Sequence, residues 1–273
     1  MHDEPSSQTL GECTITEILQ NVTFQFKTGG IASPRLDAEL LLAFVLNLNR
    51  LDLYLQADRP LTTIESGEMF ELAKRRLDGI PVAYLLEQKE FWSLNLKVFP
   101  GVLIPRPETE LLVELALPAM IRMQENKQGR RLRVVDYGTG TGAILLAIAS
   151  ELENFDFLGV DLSSQALKTA SINIDTHRQM LEKSKHRVFL VQGKGLESLG
   201  REQFVDILIS NPPYIRSDII PTLGPEVNQE PRLALDGGVD GLEVFRKIFN
   251  EANESLVNGG VLMLEHGYDQ RND

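Results

Sequence analysis

Two short segments carry most of the chemistry legible in this chain. The first is Asn211-Pro212-Pro213-Tyr214, which follows the apolar run VDILIS at 205–210. An amide or aromatic NH2 is a poor nucleophile because its lone pair is delocalised. The Asn211 side-chain oxygen can accept one N–H and the Pro212 carbonyl the other, while two prolines stiffen the backbone that presents them. Tyr214 adds a flat apolar face for a planar group and for a cation beside it. A nitrogen held by both hydrogens is aimed at an electrophilic carbon. Such a site calls for no metal and no strong base, because orientation and fixed dipoles supply the acceleration. A Pro-Pro alone would be an ordinary exit turn. With Asn before it and Tyr after it, the segment is far more specific.

The second segment is Asp136-Tyr137-Gly138-Thr139-Gly140-Thr141-Gly142, with Asp161 lying 19 residues beyond Gly142. Three alternate glycines allow a sharp turn and close approach of a ligand to the backbone. A carboxylate ending the next strand accepts from ribose hydroxyls. A glycine loop alone is often only a strand-to-helix turn. Here the spacing is GxGxG rather than the GxGxxG that suits a pyrophosphate, and an acid precedes it. Phosphate is disfavoured and a cationic nucleoside is favoured. S-adenosyl-L-methionine fits that description, with S-adenosyl-L-homocysteine as product. The cofactor set is Asp136, Gly138, Thr139, Gly140, Gly142, Asp161, Leu162 and Asn211.

The elements that must position these segments follow from patterning. The chain has 273 residues, 42% hydrophobic and 24% charged, which provides for a real core. Its formal charge of -12 argues against nonspecific nucleic-acid binding. The single Cys13 allows neither an internal disulfide nor a multi-thiolate metal site. No secretory signal and no membrane span is visible, so the reading is a cytoplasmic monomer without membrane or direct nucleic-acid partners. Residues 1–11 read as a disordered tail and residues 12–86 as a small helical domain. Within the latter, Ser33-Pro34 opens a helix whose apolar face runs Leu36, Leu40, Phe44, flanked by Leu41 and Val45. Residues 87–104 read as a β-hairpin linker, and a helix from Glu108 ends near Pro118. From Arg131 onward strands alternate with helices. The fold class is therefore α/β, a doubly wound, mostly parallel Rossmann-like sheet over residues 105–273. VDILIS, its fourth strand, should lie beside its first, setting the two segments side by side.

With these residues in place, the chain resembles the release factor glutamine N5-methyltransferases, the HemK/PrmC family, from about Ser33 to Gly267. The likeness is carried by RLDAELLLAFVL, AYLLEQKEFW, GVLIPRPETELL, VVDYGTGTGAI, GVDLSSQAL, ISNPPYI and EPRLALDGGVDGLEVF. It implies a class I methyltransferase domain behind a helical domain that helps hold the substrate. It further implies a methyl transfer to the glutamine of the Gly-Gly-Gln loop in class-1 peptide chain release factors. On that likeness Asn211, Pro212 and Tyr214 are catalytic. Asn211 to Tyr214 bind the glutamine, with Arg106 and Glu108, beside Glu110, bordering the mouth of the site.

Three departures stand out. Lys194, a donor only, occupies the segment where the family has an acid near the adenine, so either cofactor affinity is lowered or Leu196 covers the ring instead. Glu87 stands where a glycine is common. The segment after the fifth strand lacks the usual final hairpin. Two other readings compete: an N6-adenine methyltransferase of DNA or RNA, which the acidic charge opposes, and a noncatalytic binding module that kept the fold. The four histidines show no metal-ligand spacing.

Overall fold

The computed structural model describes residues 13–126, 129–199 and 203–270. The tail expected at residues 1–11 lies outside the described residues. The chain divides into two compact units between Leu86 and Glu87.

The first unit is helical: α1 (Ile15–Thr28), α2 (Pro34–Leu46), α3 (Arg50–Leu55), α4 (Thr63–Leu77) and α5 (Val82–Leu86). Capping boxes start α1 and α4, where Thr14 pairs with Glu17 and Thr62 with Glu65. Ser33 differs: it precedes Pro34 at the start of α2 but makes no side-chain cap. The buried face of α2 is also displaced from the Leu36–Leu40–Phe44 row. Leu36 and Phe44 are exposed, and Ala38, Leu41 and Leu42 are fully buried with Ile15, Val22, Phe26 and Met69. In a helix with apolar residues on more than one face, periodicity leaves the core face undetermined, and packing chooses it.

The second unit begins with a hairpin, β1 (Gln88–Phe91) and β2 (Leu94–Lys97), joined by Trp92 and Ser93. Both turn residues have positive φ, the conformation that a two-residue hairpin loop requires. Phe91 and Leu96 are buried in this unit's core. Glu87 also has positive φ (55°), so the residue replacing a glycine keeps the glycine-like backbone. A 3-10 turn at Pro107–Thr109 leads into α6 (Glu110–Asn126). This helix runs through Pro118 instead of ending there. Pro118 and Glu114, whose carbonyl loses its partner, are both on the exposed face, where water can serve that carbonyl.

The remaining elements are β3 (Arg133–Tyr137), α7 (Ala143–Glu151), β4 (Asp156–Asp161), α8 (Ser164–Thr176), α9 (Arg178–Lys183), β5 (Arg187–Gln192), β6 (Val205–Ser210), α10 (Glu243–Ser255) and β7 (Leu256–Leu264). The short α9 buries Leu181. The five strands form one parallel sheet in the order β5-β4-β3-β6-β7. Its two faces are covered separately. Val134, Ile207 and Ile209 pack with α6 and α7, and Val135, Tyr137 and Leu208 pack with α10. The chain leaves β3 in one direction and returns at β6 on the other side. The backbone after these two strands therefore opens a crevice at the carboxyl edge.

Candidate active site

The crevice holds a cavity of about 280 Å³. Its wall includes Gly138, Thr139, Gly140, Asp161, Leu162, Asn211, Pro213 and Arg106. Three hydrogen bonds lace together the elements that deliver them. Ser210 Oγ donates to the Tyr137 carbonyl (2.6 Å), tying the end of β6 to the end of β3. Glu265 N–H donates to the Ser210 carbonyl (3.0 Å), tying in the end of β7. Gly138 N–H donates to the Val160 carbonyl (2.8 Å), drawing the glycine loop toward β4.

The glycine loop is built for close approach. Gly138 and Gly140 have φ of 73° and 55°. A Cβ on Gly138 would meet no protein atom within 4 Å, and one on Gly140 only the Gly138 carbonyl at 3.9 Å. The space a side chain would take is cavity. Gly142 differs. It precedes α7, its missing Cβ faces Ala170 and Leu146, and it is not on the cavity wall. Asp161 reaches the wall with each oxygen already held: Oδ2 accepts from Gly140 N–H (2.9 Å) and Oδ1 from Ser163 N–H (2.8 Å). Each oxygen keeps a second lone pair for a ligand hydroxyl. Burial raises the Asp161 pKa against the pull of these N–H groups.

Asp136 takes a different place from the one its charge suggested. It is buried behind the loop, off the cavity wall, accepting from Thr139 Oγ1 (2.7 Å) through Oδ2, and Oδ1 has no partner. Burial pushes its pKa up to about 7. It supports the loop and is not a full negative charge offered to a ligand at neutral pH.

Lys194 does line the cavity, together with Gly193 and Gly195. Its carbonyl accepts from Tyr137 Oη (3.0 Å) and Lys247 Nζ (2.6 Å), which holds this segment's backbone in place. Leu196 turns the other way. It is buried in the core with Tyr137, Ile248 and Ala252 and cannot cover a ligand ring. Leu162, partly exposed on the wall, is the apolar side chain available there.

On the opposite side Asn211 and Pro213 face the cavity, Pro212 is buried, and Tyr214 is partly buried beside them. Asn211 Nδ2 donates to Thr109 Oγ1 (2.9 Å). Tyr214 Oη lies 3.5 Å from Glu265 Oε1, and burial followed by the Glu265 charge raises the tyrosine pKa. Arg106 is not a free cation: its Nη2 donates to Glu230 Oε1 (2.5 Å), while Glu230 Oε2 accepts from Ile104 N–H (2.9 Å). Glu108 is exposed and faces Tyr214 and Glu265 electrostatically. Glu110 accepts from Trp92 N–H (2.8 Å) and holds the hairpin turn.

Residues 17–86 match the family described as PrmC N-terminal domain, and residues 113–222 match the family described as methyltransferase small domain. The chain is 43% identical over 260 residues to the release factor glutamine methyltransferase of Coxiella burnetii, covering 94% of this chain and 87% of that one. This chain belongs to the release factor glutamine methyltransferase family. The family member from Agrobacterium fabrum is 38% identical over 264 residues, covering 96% and 88%, and that from Vibrio cholerae is 40% identical over 258 residues, covering 94% and 85%.

Four residues that build the site of this methyltransferase carry little signal in the sequence. Asn173, fully buried on α8, donates to the Thr141 and Lys97 carbonyls and accepts from Lys97 N–H, joining loop, hairpin and helix. Its only signal was an amide on an otherwise ordinary helix. Thr109 lay inside the quoted RPETE segment but was passed over for its charged neighbours. Glu230, in the EPRLAL segment, anchors the segment carrying Arg106. Glu265 ends an apolar strand run, the same signal that singled out Asp161.

Proposed function

We propose that this chain methylates the side-chain amide nitrogen of the glutamine in the Gly-Gly-Gln loop of class-1 peptide chain release factors, using S-adenosyl-L-methionine. The observation that carries this reading is the pairing, in one cavity, of an open glycine cradle and Asp161 with the Asn211 amide. The residues fit the cofactor. The cradle admits a ligand against the backbone, Asp161 offers two lone pairs to ribose hydroxyls, and Leu162 offers an apolar surface to a base. When bound, the cofactor supplies a methyl group on a positively charged sulfur.

The chain's own part is to bind and orient the acceptor. Asn211 Oδ1, left free because Nδ2 is engaged by Thr109, accepts one hydrogen of the glutamine amide. The Pro212 carbonyl accepts the other. Held at both hydrogens, the nitrogen is turned out of conjugation and its lone pair faces along the cavity. Tyr214 packs its ring against the amide plane. The proton released from nitrogen passes to water. Arg106 and Glu108 border the mouth and contact the incoming loop. The enzyme acts as a monomer in the cytoplasm, and residues 12–86 help hold the release factor.

The test is incubation with S-adenosyl-L-methionine and a purified class-1 release factor, followed by tandem mass spectrometry of the Gly-Gly-Gln peptide. A methyl on the glutamine, absent when that glutamine is alanine, is the expected result. An unmodified peptide, or methyl on adenine in a duplex offered in parallel, would overturn the reading.

A further inference from the structure

Strand order fixes which end of the cavity must take the cofactor's base. The sheet runs β5-β4-β3-β6-β7. A nucleoside whose ribose rests on Asp161 lies at the end of β4, and its sulfur must face Asn211 at the end of β6. The base is then left on the other side of Asp161, over the end of β5. The wall there is Gly193, Lys194 and Gly195.

The donors and acceptors at that end are unbalanced. Gly195 has no room for a side chain, because a Cβ would collide with the Glu251 carboxylate and the Tyr137 hydroxyl. The Lys194 carbonyl already accepts from Tyr137 Oη (3.0 Å) and Lys247 Nζ (2.6 Å), so both its lone pairs are used. The wall carries three cations. Arg106 is paired with Glu230, and Lys247 with Glu197 (3.3 Å) and Glu251 (3.4 Å). Lys194 is exposed, and among the described residues its ammonium has no hydrogen bond or ion pair. The wall carboxylates are Asp161, which the ribose takes, and Asp236, which is held by Ser217, Arg232 and Gly238 N–H. The end of β5 therefore offers a base an unengaged donor and no unengaged carboxylate.

Adenine presents an NH2 donor at its 6-position, which an ammonium cannot accept from. Hypoxanthine presents a 6-oxo acceptor beside N7, the pair that a lysine reads on guanine. We propose that Lys194 is a specificity-determining residue for the cofactor's base, and that this cavity takes the 6-oxo (inosyl) form of the cofactor at least as well as the 6-amino (adenosyl) form. The inference rests on the cofactor part of the function proposed above and not on the identity of the methyl acceptor.

The test is calorimetric titration of the full chain, at neutral pH, with S-adenosyl-L-homocysteine and with S-inosyl-L-homocysteine. The expected result is an inosyl Kd equal to or below the adenosyl Kd. Lys194→Asp supplies an acceptor for the NH2 and repels the 6-oxo group, so it should move the ratio of the two Kd values about tenfold or more toward the adenosyl form. Lys194→Met, which keeps the apolar stem, should fall between them. The Lys194 side chain is exposed and the bonds that pin this segment are made by its backbone, so neither substitution removes a packing contact of the core. A wild-type protein that disfavours the inosyl form by tenfold, or a ratio unchanged in Lys194→Asp, would overturn the proposal and leave the cofactor reading standing. Failure of the wild-type protein to bind either compound would overturn both.

Discussion

The two ends of the cavity are built differently. At the glycine-loop end both oxygens of Asp161 are held by backbone N–H groups, and the loop conformation comes from glycines within a few residues of each other. At the Asn211 end the orienting groups come from residues 106–110, 211–214 and 265, and carboxylates crowd one another: Glu108 and Glu265 both face Tyr214. The first end is built mainly from the backbone of one loop and the end of one strand, with the Asp161 charge adding to burial in raising the Asp136 pKa. The second is assembled from segments lying more than 150 residues apart in the chain. A binding surface can be made from backbone, whereas a group that must aim one lone pair needs side chains from several directions.

The largest expected effect tests the division of labour directly. Asn211→Ala should lower methyl transfer by about 10²–10³-fold, the scale of losing one preorganised polar contact to the reacting group. Calorimetric titration should leave the cofactor Kd within about twofold. Parallel loss of both would merge the two ends into one.

Asp136 breaks the contrast from the other side, because it is a fully buried carboxylate beneath the backbone-built end. Its folded-state pKa, about 7, lies above the ordinary carboxylate value. Its contribution to stability is therefore fully present below about pH 4 and lost as pH rises through about 7, amounting to about 2–4 kcal/mol. Asp136→Asn should flatten that part of the profile, read as urea midpoints at pH 5 and pH 8. Identical slopes in variant and wild type would remove Asp136 as the source.

Asp161→Ala should weaken cofactor binding by about 1–3 kcal/mol, the cost of unpaired hydroxyls in the bound state, with kcat at saturating cofactor much less affected. An unchanged Kd would move the ribose site elsewhere. The smallest effect belongs to the crowded end. Glu108→Gln removes a like charge facing Glu265, so the Glu265 carboxyl, followed by 13C NMR against pH, should titrate lower by roughly a few tenths of a pH unit. An upward shift would contradict the crowding.

The fold was legible because its signals are local. Buried strands alternate with helices, and glycines and prolines mark the turns. The two chemical segments were legible for the same reason. What escaped were groups whose importance is relational. Asn173, Thr109 and Glu265 are unremarkable along the chain and become informative only where three elements meet. Leu36 and Phe44 failed as core residues because α2 is apolar on more than one face. Pro118 failed as a stop because the Glu114 carbonyl it leaves unpaired lies on the exposed face of the helix.

The amino-acid sequence by itself determined the alternation of elements, the open backbone of the glycine loop and the Asn-Pro-Pro-Tyr acceptor, since these depend on residue type and near-neighbour spacing. The tertiary structure alone decided that Asp136 stands behind the loop, that Leu196 turns into the core and that Asn211 leans on Thr109. Burial, hydrogen-bond direction and the pKa values that follow from them are properties of surroundings, and those surroundings exist only once distant segments have packed together.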